Sequence, residues 1–172
     1  MTAAVEVSAR TTAACADCPW TSGTLTGDLS VRVIATPGHT SDSISLLVTG
    51  PDGCRLLTGD TVLGRGTTVI THPDGDLGAY LGSLEVLLRV VREHAVTAIL
   101  PGHGPVVDDP EGVLRHYREH RLQRLDQVRD ALRQGDRTPA EVVARVYADV
   151  DRSVWPAAEQ SVRAQLDYLR DH

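Results

Sequence analysis

Phenylalanine is absent from this 172-residue sequence, and all aromatic residues together make up 3% of it. Any core must therefore be built from Leu, Val, Ile and Ala. No apolar run is long enough to span a bilayer. Residues 1–10 show no charged segment followed by an apolar one, so no secretory signal is expected. Cysteine is scarce: Cys15, Cys18 and Cys54 are the three present. An odd count without a signal fits a reducing cytoplasm and argues against a disulfide framework. Positive charge is also in deficit, with Lys and Arg totalling 17 against 23 for Asp and Glu and a formal net charge of -6. That balance argues against a dedicated nucleic-acid or anionic-membrane binder, because those partners attract cationic side chains.

What is present reads as α/β followed by helices. Residues 3–8 look like a short strand, and a Thr-, Ala- and Gly-rich stretch runs on to about Asp28. Residues 29–35, 44–48 and 55–57 are compact apolar runs bounded by Gly, Pro, Asp or Ser, as strands are. Leu77, Leu81, Leu84, Leu88 and Val91 recur at steps of four and three, which predicts an amphipathic helix. Residues 97–100 form another strand, stopped by Pro101-Gly102. Leu114, Tyr117, Leu125, Val128 and Leu132 mark a long helix with Arg115, Arg118, Arg124 and Arg129 on another face. Thr138-Pro139-Ala140-Glu141 has the form of a capping box with Pro at the first helical position. The short helix after it should bury Val142, Val143 and Val146. Pro156 should open a last helix carrying Val162, Leu166 and Leu169 on one face. A boundary near residue 110 divides an α/β part, 1–109, from a helical part, 110–172.

Three segments share one construction. A strand runs out, a glycine turns the backbone, and a metal-ligand type follows: Gly38 then His39, Gly59 then Asp60, Gly102 then His103. Glycine permits the sharp bend and a close approach of the chain to an ion. Imidazole and carboxylate are donors that zinc and related ions use. Each residue alone would more often be a polar loop side chain or a turn former. Strand ends sharing one sheet edge would let the three converge.

Thr36-Pro37-Gly38-His39-Thr40, Leu57-Thr58-Gly59-Asp60-Thr61 and Leu100-Pro101-Gly102-His103-Gly104 resemble the later three metal-binding motifs of the metallo-β-lactamase superfamily. The helical tail, including Glu119-His120-Arg121, is similar to the branch with a small winged-helix-like C-terminal domain, near the glyoxalase II type thioesterases. The resemblance implies an incomplete αββα sandwich, mainly its C-terminal half, followed by that tail. It implies that His39 binds a first zinc ion, that Asp60 bridges two, and that His103 binds the second. The activity implied is hydrolysis of a thioester such as hydroxyacylglutathione, or of an RNA phosphodiester, with DNA and membranes not among the partners.

The family's first motif, His-x-His-x-Asp-His, does not occur. The remaining histidines, His72, His94, His116, His120 and His172, all follow His39, and the alignment sets Met1 just beyond that motif. The resemblance thus implies an N-terminally truncated member with weak or absent zinc binding and no hydrolysis by itself. An apolar sheet face left without its partner sheet would also offer a route to homo-oligomers. The competing expectation is a non-catalytic interaction protein that keeps the scaffold. Other features carry less. Cys15-Ala16-Asp17-Cys18 lacks a second pair and reads as ordinary thiols. Gly64-Arg65-Gly66 reads as a substrate-side loop or a tight turn. Tyr80 reads as core, and His116 with His120 as a solvated helix face. The tail mixes Arg with Asp and Glu, which favours packing against the α/β part over DNA recognition.

Overall fold

The computed structural model describes residues 20–24 and 29–172. Its element order is β1 (Trp20–Thr24), β2 (Ser30–Ala35), β3 (Ile44–Gly50), β4 (Gly53–Gly59), α1 (Leu77–Glu93), β5 (Ala98–Pro101), α2 (Pro110–Arg133), α3 (Pro139–Val146) and α4 (Trp155–Asp171). A short 3-10 turn at Arg152–Val154 precedes α4. The expected strand at residues 3–8 and the Cys15/Cys18 pair lie outside the described residues. β1 was not anticipated. Its sequence, WTSGT, has no apolar alternation, and its strand character comes from pairing with β2.

The strands form one sheet in the order β1-β2-β3-β4-β5. β2, β3 and β4 are antiparallel neighbours, whereas β4 and β5 run parallel. Two reversals restore direction, so β2, β4 and β5 all finish at the same edge. The parallel step needs a crossover, and α1 supplies it. Asp76 caps α1 by accepting from the Ala79 amide at 2.6 Å, which satisfies one of the free donors of the first turn.

The two sheet faces differ. Ile34, Leu47, Leu56 and Ile99 share one face, the last three in register with one another, and are buried under α1 and α2. Leu84, Leu87, Leu88 and Val91 of α1 complete this core with Leu114 and Tyr117 of α2. Burying each such side chain contributes roughly 1.5–3 kcal/mol before conformational entropy is subtracted. The opposite face carries Val31, Val33, Leu46, Val48 and Leu57, all half-buried, with Ile44 exposed. Leu81, expected in the core, is half-buried, while Tyr80 and Leu87 take the inward positions on α1.

A second cluster joins Val128 and Ala131 of α2 to Val142 and Val143 of α3 and Ala158 and Val162 of α4. α2 therefore contributes its first half to one cluster and its second half to the other. The anticipated capping box is present, with Thr138 and Glu141 bonding each other's backbone amides. The tail is tied to the α/β part by polar contacts as well. The Ile70 amide donates to Ser161 Oγ at 3.1 Å, and His72 Nε2 lies 3.0 Å from Asp167 Oδ2. None of the described helices is long and apolar enough to cross a membrane.

Candidate metal centre

The common edge of β2, β4 and β5 carries His39, Asp60 and His103 on the loops that leave those strands. His39 Nε2 lies 3.9 Å from Asp60 Oδ2, and His103 Nε2 lies 3.5 Å from Asp60 Oδ1. Each carboxylate oxygen thus faces a different imidazole. Two donors bound to one tetrahedral ion at about 2.1 Å would stand about 3.4 Å apart, so both separations suit shared coordination better than direct hydrogen bonds. Among the described residues, no group of three or more His, Cys, Asp or Glu closes around a single point. The three meet pairwise, through opposite oxygens of Asp60.

The glycines set this geometry. Gly38 has φ +140°, and a Cβ there would fall 2.4 Å from Tyr80 Cα. Gly59 has φ +50°, and a Cβ on Gly102 would stand 2.8 Å from Asp60 Oδ1. Backbone bonds finish the turns: Gly102 N donates to the Gly59 carbonyl at 2.8 Å, and Thr71 N donates to the His39 carbonyl at 3.0 Å.

His39 is oriented from behind. Its Nδ1 lies 2.6 Å from the Val69 carbonyl. A carbonyl only accepts, so Nδ1 is the donor, and Nε2 is left on the side of Asp60. Metal-ligating histidines are oriented in this way by a second partner. Exposure grades across the edge, from 24% for the His39 side chain through 40% for Asp60 to 76% for His103. The approach from solvent is therefore past His103.

Beneath the edge lies a hydroxyl layer that the sequence did not announce. Thr36, Ser45, Thr58 and Thr61 are all buried. Thr61 Oγ1 donates to Thr36 Oγ1, which is 3.1 Å from Ser45 Oγ, and Thr58 Oγ1 donates to the Val62 carbonyl. Tyr80, entirely buried, donates its phenol to the Thr61 carbonyl at 2.7 Å. Burial pushes that phenol well above its ordinary pKa. These bonds clamp the turn bearing Asp60. The signal in the sequence was a Thr on either side of His39 and of Asp60 (Thr36 and Thr40, Thr58 and Thr61), but a short polar side chain gives no periodicity that marks it as buried.

Gly64 and Gly66 divide the alternatives left open for their loop. A Cβ on Gly64 would meet the Pro105 carbonyl at 2.0 Å, and its amide donates to the His103 carbonyl. Gly64 therefore packs the loop onto the His103 turn. Gly66, at φ +73°, faces open space. The reading of His116 and His120 as one solvated face needs correction. His116 is exposed, whereas His120 is half-buried, its Nδ1 without a partner among the described residues. Burial, then the nearby Arg121, Arg124 and His116, pulls the His120 pKa down to about 4.

With this geometry in view, likeness to other proteins can be weighed. The sequence profile of the beta-lactamase associated winged helix domain matches residues 138–171. The chain is 37% identical over 143 residues to a beta-lactamase-like protein 2 homolog of Drosophila melanogaster, covering 81% of this chain and 45% of that protein. It is 34% identical over 133 residues to an atrochrysone carboxyl ACP thioesterase of Aspergillus chevalieri, covering 73% of this chain and 40% of the relative. The fold matches the crystal structure of a beta-lactamase domain protein from Burkholderia ambifaria with a TM-score of 0.71 and 25% identity, over 86% of this chain and 44% of that one. The fold and tail define the class: an α/β protein with an appended winged helix. The chain belongs to the metallo-β-lactamase superfamily. It spans a little under half the length of the curated relatives it matches.

Proposed function

We propose that this chain carries part of the metal site of a zinc-dependent hydrolase, with His39, Asp60 and His103 as ligands. The observation that supports this most is Asp60, whose two oxygens each face an imidazole, at 3.5 and 3.9 Å. The donor chemistry fits: two imidazole nitrogens and a carboxylate suit zinc. Their number fits one part of a two-ion site, since a catalytic zinc typically takes about three protein ligands. When bound, ions of this kind polarise the group under attack and make a water nucleophilic at neutral pH.

The chain's own residues do the rest. His39 presents Nε2 because Val69 holds the Nδ1 proton. Asp60 offers one oxygen to each side, and the hydroxyl layer holds the backbone of the turn that carries it. His103, exposed, borders the path by which substrate enters. We favour a thioester as the substrate class, supported by the thioesterase named among the relatives. In its hydrolysis water adds across the C–S bond, the acyl carbon gaining oxygen and the sulfur leaving with a proton. An odd number of cysteines supports a reducing compartment, the cytoplasm.

Two measurements test the reading. The 172-residue chain, dialysed after zinc loading, should retain well under about one equivalent, because three donors cannot fill a two-ion site. Two tightly held equivalents would overturn the shared-ligand assignment. The same chain should hydrolyse neither a glutathione thioester nor a short RNA above the metal-only background. Joined behind a segment bearing His-x-His-x-Asp-His, it should hydrolyse the thioester. Hydrolysis of RNA in preference would overturn the substrate class, and no hydrolysis of either would overturn the enzyme reading.

A further inference from the structure

A cavity of about 350 Å³ lies between the loop following the Asp60 turn and the helical tail. This is at the low end of the roughly 300–1,000 Å³ typical of small-molecule sites. Thr67 and Thr68 form one wall, His120, Arg121 and Arg124 of α2 a second, and Ser161 of α4 a third. Among the described residues no Asp or Glu lines it.

Arg121 is the anomaly. It is 3% exposed, yet among the described residues it has no carboxylate partner. Its Nη2 donates to the Thr68 carbonyl and its guanidinium lies over the Tyr80 ring, 5.3 Å from the centroid. Among the described residues its Nε has no partner, and neither does His120 Nδ1 beside it. Among the described residues Arg124 bonds Gln127 Oε1 and the Val146 carbonyl, and it lies over the Tyr147 ring. Ser161 Oγ accepts from the Ile70 amide, which leaves its proton free to donate. A buried cation without an anion is costly, and a buried N–H without an acceptor adds to that cost. An oxyanion in the cavity would offset the first of these costs.

We propose that this cavity binds a phosphate group of the substrate, held by Arg121, Arg124, Ser161 and Thr67. The donors come from three separate elements rather than from one planar fork. That arrangement suits a tetrahedral group with several outer oxygens better than a flat carboxylate. The inference deepens the hydrolase reading and rests on it for the word substrate. The loop that walls the cavity also touches both candidate ligands. Gly64 donates to the His103 carbonyl, and the Val69 carbonyl receives the His39 proton. A phosphate seated there would anchor a phosphate-bearing thioester beside the hydrolytic edge.

The test is binding, so it does not depend on turnover or metal. Inorganic phosphate is titrated into the metal-free 172-residue chain and followed by calorimetry, with acetate as the carboxylate control. Saturable phosphate binding is expected, weakened at least about tenfold by Arg121→Gln and by Arg124→Gln, since a charge-assisted hydrogen bond is worth that much or more. Arg124 is half-buried, so its variant carries the test if Arg121→Gln fails to fold in a circular-dichroism melt. Coenzyme A, a phosphate-bearing thiol, should compete with phosphate. Acetate binding as tightly as phosphate would overturn the ligand class. Absent binding, or binding indifferent to both variants, would overturn the site. Phosphate binding without competition by coenzyme A would overturn its assignment to the substrate. Thioester hydrolysis by the chain joined behind the first motif, and its loss in Asp60→Ala, report on the hydrolase reading separately.

Discussion

The molecule has two polar clusters, the strand edge and the interhelical cavity, and they are built in opposite ways. At the edge, each chemical group follows a glycine at the end of a strand, so its backbone is fixed before its neighbours arrive. In the cavity, the groups stand in the middle of α2 and α4 and acquire meaning only when a loop packs against them. The edge is half-open, with His103 76% exposed. The cavity holds an arginine that is almost fully buried. The contrast teaches that a site on loops after strands advertises itself through local punctuation, while a site between helices hides inside their ordinary periodicity.

The largest expected effect breaks the edge. In the protein complemented with the first motif, Asp60→Ala should lower thioester turnover by more than about a hundredfold, beyond the loss usual for an outer-shell partner. His39→Ala and His103→Ala should each cost less, because each faces a single oxygen of Asp60. Initial rates at saturating substrate decide it. Full activity in Asp60→Ala would end the bridging assignment.

A second comparison sets glycine against glycine. Gly38→Ala places a methyl 2.4 Å from the Tyr80 backbone at a left-handed φ, so it should cost at least about 2 kcal/mol in urea unfolding. Gly66→Ala meets no neighbour and pays only for its φ of +73°, about 1 kcal/mol. Equal losses would show that the Gly38 contact is not what shapes the His39 loop.

The cavity can be read through pH. The His120 pKa is pulled to about 4, by burial first and then by Arg121, Arg124 and His116. Its ordinary value is 6.5, so in the window between them the unfolded chain binds the proton more readily. Stability contributed by neutral His120 is present above pH 6.5 and is lost as pH falls toward about 4. His120→Gln should flatten melting temperature across that window. Added phosphate should narrow the loss as well, by stabilising the charged ring. A wild-type curve already flat there would count against the buried, cation-flanked setting of His120.

The smallest effect lies far from both clusters. Glu111 is held down to about 2 by hydrogen bonds from Arg92 and Arg115, and its ordinary value is 4.5. Its contribution is present above pH 4.5 and is lost as pH falls toward about 2. Because the group is solvent-exposed, the change should be slight and should shrink with added salt. Glu111→Gln should remove it from the acid limb of the melting curve.

Much of the fold was legible in the sequence. Four of the sheet's strands, the helix over 77–93, the long helix and the capping box at Thr138 are local features, carried by periodicity and punctuation. β1 was not legible, because an edge strand of Trp, Thr, Ser and Gly is made by its neighbour's hydrogen bonds. Arg121 was legible in principle. Leu114, Tyr117, Leu125 and Val128 set a buried stripe, and position 121 continues it at steps of four. A charged residue on that stripe was the signal.

The sequence by itself determined which residues could bind an ion, since glycine and a donor type in succession are local chemistry. It also determined the family, through three motifs in order. Only the tertiary structure decided that β2, β4 and β5 point the same way, so that His39, Asp60 and His103 share one edge. Only it decided that Arg121 has no carboxylate partner among the described residues, because whether a charge is paired depends on residues distant in the chain. Strand direction and charge pairing are long-range properties. They are fixed by how the chain packs, and a one-dimensional pattern carries them only in part.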